Sequence, residues 1–148
     1  MSDKLHIHLN MQVAFYDVDA YRVVWHGNYP KYMEIARCKL LEKIGFTYAD
    51  MEKIQHFFPV IDLKIKYIDS LVFDQHFSIE AQLKEWQNKL VIDYHIRDTT
   101  TGKSITKAQT TQVAVKMPER ITQFEAPTAL LKKIAAVLAD QDSTESSQ

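Results

Sequence analysis

One cysteine, Cys38, occurs in 148 residues. The chain therefore closes no intrachain disulfide and offers no cysteine pair for a metal or a redox motif. Its place on a helix beside an apolar face reads as an inert thiol rather than a nucleophile. Glycine is almost as scarce, at three residues, each at a proposed helix edge or turn. There is no Gly-rich phosphate loop, no nucleophile elbow and no zinc-protease motif. A Ser-His-Asp triad can be assembled from the composition, but no local motif backs it. Charge of one sign is also missing. Lys and Arg number 18 against 19 Asp and Glu, a formal net charge of −1. Nucleic acid and anionic membranes want a clustered basic surface, so neither is an expected partner. No apolar run approaches the length of a membrane span, and the first residues lack a signal-peptide core. The expectation is a cytoplasmic protein with no metal and no cofactor.

What is present is ordinary for a globular chain: 46% hydrophobic and 25% charged residues. That composition fits one domain over residues 1–140, large enough for a real core. The tail from Asp140, DQDSTESSQ, has no apolar residue, and 141–148 is expected to be disordered. Alternation predicts a strand over Leu5–Tyr16, with Leu5, Ile7, Leu9, Met11, Val13 and Phe15 on one side. His6 and His8 share its polar side, which reads as an exposed face rather than a metal pair. Four further alternating runs follow Pro59: Val60–Leu71, Gln75–Gln87, Leu90–Asp98 and Ser104–Met117. Asn88-Lys89 and Thr100-Thr101-Gly102-Lys103 are the expected tight turns between them. Thr47 can cap a short helix before Pro59, and Ala126–Ala139 predicts a C-terminal helix with Leu130, Leu131, Ile134, Val137 and Leu138 apolar. Strand, helix, then four strands joined by short turns gives the α+β class.

The stretch Phe15–Gly45 organises the rest. Asp17 and Asp19 bracket Val18, the apolar run Val23-Val24-Trp25 follows, and then a helix begins. Asn28 is a good N-cap, Pro30 suits the first turn, and Gly45 suits a left-handed stop. Tyr29, Met33, Ala36, Leu40 and Ile44 recur at helical spacing and make one apolar face. A carboxylate thus lies in a loop shortly before the free N–H groups of a helix start. Such an end carries about half a positive charge and suits an oxygen that becomes negative during reaction. Base and anion hole lie together in sequence.

The pattern Asp17-x-Asp19, Val23-Val24-Trp25, His26-x-Asn28-Tyr29, Tyr32 and Glu34-x-Ala36-Arg37 resembles the 4-hydroxybenzoyl-CoA thioesterase group of the hotdog-fold acyl-CoA thioesterases. The resemblance implies a hotdog fold: a curved antiparallel sheet of about five strands wrapped around a long central helix, with a C-terminal helix. It implies hydrolysis of an acyl thioester, on CoA or on an acyl carrier protein, and a homodimer or homotetramer with a shared site. It aligns Asp19 with the family's catalytic carboxylate, as general base or nucleophile. His26 is carried over as the second catalytic position: its backbone N–H would polarise the thioester carbonyl, its imidazole serving the leaving thiolate. Arg22, Trp25, Gly27, Asn28 and Tyr29 form the expected substrate-binding set. Two departures stand out: Val18 where the group has a small polar residue, and Arg22 where it has glycine. Two other functions compete, a hydratase or dehydratase acting on 3-hydroxyacyl thioesters and a non-catalytic acyl-binding protein. Lys64, Lys66, Lys89, Arg97 and Lys103 are the candidate phosphate contacts, without a motif that separates CoA from a carrier protein.

Overall fold

A computed structural model describes the backbone of residues 3–146. In chain order the elements are β1 (His6–Gln12), α1 (Tyr29–Ile44), α2 (Tyr48–Lys53), β2 (His56–Phe57), β3 (Val60–Tyr67), β4 (His76–Glu85), β5 (Lys89–Asp98), β6 (Ser104–Val113), β7 (Val115–Lys116), β8 (Ile121–Thr122) and α3 (Thr128–Ser146). Five strands form one antiparallel sheet in the order β1-β4-β5-β6-β3. The two edges are therefore β1 and β3. The short strands β2, β7 and β8 make a second small sheet. No helix among the described residues is long and apolar enough to cross a membrane.

Alternation decides which side of the large sheet carries the core. Phe77, Ile79, Ala81 and Leu83 of β4 and Leu90, Ile92, Tyr94 and Ile96 of β5 are all buried, and α1 packs on β1 and β4. Every member of the predicted α1 face is buried, joined by Tyr32, Arg37 and Leu41. Gly45 ends the helix at φ +84°. Phe46 N–H then reaches back to Leu41 C=O at 3.0 Å, the long-range bond of a left-handed helix stop. Gly102, also at positive φ, turns β5 into β6, with Asp98 Oδ1 accepting from Thr100 and Thr101 N–H at 2.8 Å each.

Three boundaries differ from the pattern reading. The first strand ends at Gln12, and Phe15–Asp17 forms a 3₁₀ turn. The strand expected over Ser104–Met117 is divided between β6 and β7 at Ala114, which is buried. The last helix, Thr128–Ser146, extends past the apolar pattern, and 147–148 lie outside the described residues.

The inner face is not covered evenly. On β6 it presents Thr106, Ala108, Thr110 and Gln112, which lie in register with Ile96, Tyr94, Ile92 and Leu90 of β5. On β3 it presents Leu63, Ile65 and Tyr67, in register with Thr110, Ala108 and Thr106. Leu63 is 44% and Tyr67 47% exposed, and Ile61 near the start of β3 is 60% exposed. The stripe that the pattern assigns to the core is thus left open at this edge. Trp86, just past the end of β4, is partly buried and packs against the core. The middle of α1 is the opposite case, with Leu40 fully buried. Leu40→Ala is expected to cost about 2–5 kcal/mol by leaving a cavity that the sheet cannot fill. Thermal or denaturant unfolding checks this, and a loss below about 1 kcal/mol would contradict it.

Candidate functional site

Between Val13 and Tyr29 the chain buries two residues, Asp17 and Val24. The segment folds as a narrow ribbon. Val18 and Val24 form an antiparallel bridge, Asp19 N–H donates to Val23 C=O at 2.9 Å, and Trp25 N–H donates to Asp17 C=O at 3.0 Å. At its tip, Arg22 N–H closes a turn on Asp19 C=O at 2.9 Å, and Asp19 Oδ1 accepts Tyr21 N–H at 2.8 Å. Asp19 thereby spends one oxygen on its own turn. Among the described residues, Oδ2 has no hydrogen-bond partner.

Arg22 sits at φ +64°. This is the conformation that a tight ribbon needs at the last turn position, and it favours glycine because a Cβ crowds the neighbouring carbonyl. The departure noted in the sequence therefore has a local meaning: the loop keeps its shape with arginine, at the cost of about 1 kcal/mol or more of backbone strain. The side chain itself is exposed.

Asp17 has the opposite environment. It is 3% exposed; Tyr32 Oη donates to Oδ2 at 2.8 Å and Lys31 Nζ pairs with Oδ1. Burial alone would raise its pKa. The bonds from Lys31 and Tyr32 outweigh burial and hold the carboxyl below the ordinary aspartate value. Burial, and then the bond to Asp17, push the Tyr32 phenol up, so it stays a donor.

The turn before α1 is a 3₁₀ element, His26–Asn28. Its first internal bond runs from Asn28 N–H to Trp25 C=O at 2.8 Å, so the His26 and Gly27 amides precede the bonded part of the helix. Asn28 does not cap α1 with its side chain. Its Nδ2 donates instead to Asp17 C=O at 2.8 Å, which ties the helix start to the ribbon. Tyr67 Oη of the open edge donates to His26 C=O at 2.8 Å.

The rings stack in a row. The Trp25 ring lies 5.2 Å from His26, the Tyr67 ring 6.5 Å from His26, and Tyr29 5.2 Å from Tyr67. Trp25 is 51% exposed and Tyr29 is buried, with its hydroxyl accepting Leu71 N–H at 3.3 Å. Trp25, His26, Gly27 and Asn28 thus gather around one turn, and Tyr29 lies beneath it as a core ring. Asp19 and Arg22 stand at the ribbon tip. Of the proposed phosphate contacts, Lys103 is held by Asp69 at 2.7 Å and Lys64 by Asp62 at 3.7 Å.

The matched protein family is the thioesterase-like superfamily, and its model spans residues 13–139. YneP of Bacillus subtilis (strain 168), a provisionally named acyl-CoA thioesterase, is 31% identical over 106 residues, which is 71% of this chain and 76% of that protein. The chain belongs to the thioesterase-like superfamily. The 4-hydroxybenzoyl-CoA thioesterase of Pseudomonas sp. (strain CBS-3) is 23% identical over 129 residues, 82% of this chain and 92% of that one. Among solved structures, Slr0204 of Synechocystis, a 1,4-dihydroxy-2-naphthoyl-CoA thioesterase, superposes with a TM-score of 0.79 at 17% identity, covering 88% of this chain and 96% of its own. The hotdog architecture that the residue pattern implies is the one the structure has. Thioester hydrolysis is the function that the family and its named relatives support.

Asp17 and Tyr67 were missed as contributors. Asp17 reads as a turn former in sequence, and only the helix brings Lys31 and Tyr32 to it. Tyr67 lies far along the chain from His26 and meets it through the sheet.

Substitutions at two positions test the local geometry. A Cβ built on Gly27 would lie 2.3 Å from the Trp25 indole, so Gly27→Ala should displace the indole and shift tryptophan fluorescence. An unchanged spectrum would contradict that packing. At Arg22, glycine should leave stability within about 1 kcal/mol, strain relief offsetting the looser unfolded chain, while Arg22→Val should cost more than about 1 kcal/mol. Equal stability of the two variants would show that the left-handed turn is not required. The lowered Asp17 pKa also has a sign. Its contribution is present above the ordinary aspartate pKa and fades as pH falls through the folded value. Acid titration of stability should therefore lose less in Asp17→Asn than in the wild type below about pH 4.

Proposed function

We propose that this protein hydrolyses an acyl-CoA to free acid and thiol, with Asp19 as the reacting carboxylate. The observation that carries this reading is the contrast between the two aspartates. Asp17 is buried with both oxygens engaged, whereas Asp19 is partly exposed at the ribbon tip and keeps one oxygen free. The free oxygen of Asp19 is the atom that would accept a proton from water or attack the carbonyl itself.

The chemistry follows from charge development. Attack on the thioester carbonyl places negative charge on its oxygen, and the His26 amide, at the positive end of α1, is the donor for it. The His26 imidazole stands beside the same turn, in position to serve the departing thiolate. Gly27 lets the turn close over the Trp25 ring, and Trp25 supplies an apolar wall for the acyl group. Asn28 fixes the turn to the ribbon, Arg22 stands at the rim, and Tyr29 supports the wall from below. An acyl carrier protein as the thiol carrier is the second form of the same reaction. The names of the relatives favour CoA.

The active unit is at least a dimer, and the matched region is read as a single domain. The support is the open β3 edge, where Ile61, Leu63 and Tyr67 are exposed together with unpaired backbone. An edge of that kind is normally paired or covered. Two-fold pairing of β3 with its copy would set Val60 of one subunit against Tyr67 of the other. That brings the Phe58-Pro59-Val60 segment to the His26 turn of its neighbour. A further pairing of dimers into tetramers fits the same reading.

Asp19→Asn should fold normally and lose about 10²–10⁴ in kcat, since an amide neither accepts the proton nor attacks. Full activity in this variant, measured by thiol release from a panel of acyl-CoAs, would overturn the assignment. Sedimentation and activity followed together through dilution should fall in parallel, and a fully active monomer would end the shared-site model.

A further inference from the structure

Asp17 is a buried carboxylate that the reaction leaves without a task, and its bonds reach three separate segments. Its side chain holds the first turn of α1, through Lys31 Nζ and Tyr32 Oη at 2.8 Å. Its carbonyl holds the turn before that helix, accepting from Trp25 N–H at 3.0 Å and Asn28 Nδ2 at 2.8 Å. Its own N–H closes the 3₁₀ turn on Ala14 C=O at 3.0 Å. Asp19 leaves this junction two residues further on, and His26 leaves it from Trp25, so both reacting groups are measured from one residue. We propose that Asp17 is a positioning residue, which sets the separation of the Asp19 carboxylate and the His26 amide by clamping ribbon, turn and helix together. This rests on the reading of Asp19 as the reacting carboxylate.

Apart from these bonds the ribbon is tied at one side, where Val23 bridges Val72 and Val24 N–H donates to Leu71 C=O at 2.8 Å; neither contact reaches α1. Apart from Asp17 itself and Val24, every residue between Val13 and Tyr29 is at least partly exposed, and Phe15, Tyr16 and Tyr21 are largely so. Apolar burial on both sides, the usual means of fixing a loop, is absent. A clamp made of directional bonds does what burial does not: it fixes orientation as well as position. The extended residue Val18, at φ −93° and ψ 151°, carries that orientation to Asp19. Charge on Asp17 matters because Lys31 sits in the first turn of α1, where a cation is unfavourable unless an anion meets it.

Misplacement of a reacting group by about 1 Å costs on the order of 10² in rate. Asp17→Asn should therefore lower kcat about 10- to 100-fold on acyl-CoA, and Tyr32→Phe, which removes one hydroxyl, about 3- to 10-fold. KM and the affinity for a non-hydrolysable thioether analogue of acyl-CoA should stay within about threefold, because the binding surface is intact. The double variant should be hardly slower than Asp17→Asn alone, as expected of two groups in one network. The decisive arm is the Asp19→Asn background. There Asp17→Asn should cost clearly less than in the wild type, since the carboxylate it places is gone and only the His26 amide remains to be held, whereas a purely structural defect would multiply through. All variants are assayed well below their melting temperatures, with folding checked by circular dichroism. Unchanged kcat in folded Asp17→Asn, a loss confined to KM, or a full further loss in the Asp19→Asn background would each overturn the proposal. Should Asp17→Asn fail to fold, Tyr32→Phe decides, and full kcat in that variant overturns it. An Asp19→Asn protein as active as wild type would remove the underlying reading. Inactive Asp19→Asn beside fully active, folded Asp17→Asn would remove only the clamp.

Discussion

A loop that presents reactive groups to solvent cannot also bury enough apolar surface to hold itself in place. In this protein the conflict is met by one buried carboxylate, Asp17, paired with the half-exposed Lys31 and with the Tyr32 hydroxyl. Desolvating a carboxylate is expensive unless its oxygens are matched by donors. At Asp17 they are, by Lys31 and Tyr32 of α1 and with no water needed between them. The pair is therefore weak grounds for claiming great stability and good grounds for claiming a defined geometry. Helix α1 supplies the rigid side of the clamp, because its own apolar face is locked against β1 and β4. The same helix offers its positive end to the His26 turn, so scaffold and electrostatics arise from one element.

The sheet tells a complementary story of incomplete coverage. The helix covers the β1–β4 side, where β4 and β5 present large aliphatic and aromatic residues. Toward β6 the inner face turns to threonine, alanine and glutamine, and at β3 the apolar side chains return without anything over them. Some polar groups on β6 find partners, while Thr106 Oγ1 and Gln112 Oε1 are buried without one. Tyr94 and Thr110 hydroxyls meet at 2.9 Å, and Gln112 Nε2 donates to Phe58 C=O at 2.6 Å. The open apolar strip borders the turn that holds His26, and Tyr67 belongs to both. Surface exposed for a partner and surface exposed for a substrate are thus continuous, as expected where a site is completed by a second subunit.

Arg22 shows how local conformation and residue type can part company. The ribbon needs a left-handed residue four positions after Val18, and the chain meets that need with arginine rather than glycine. The strain is tolerated because the hydrogen bonds on either side, Asp19 to Val23 and Arg22 to Asp19, fix the turn from both directions. A sequence reader sees only the missing glycine and doubts the loop; the surrounding bonds preserve it.

By itself the sequence determined those features that rest on short-range periodicity and on backbone chemistry: the amphipathic α1 with its Gly45 stop, the alternating strands, the Gly102 turn, and a carboxylate placed just before a helix start. Each depends on neighbours within a few residues, so a linear pattern contains it. The tertiary structure alone decided which aspartate is buried, that Asn28 braces the ribbon instead of capping the helix, that Tyr67 reaches His26, and that the β3 stripe lies open. These depend on pairs far apart in the chain, such as Tyr67 with His26 or Gln112 with Phe58. The same spacing in sequence is compatible with many such pairings. Which one forms is set by strand register and by the packing of α1, and neither is written in any single stretch of residues.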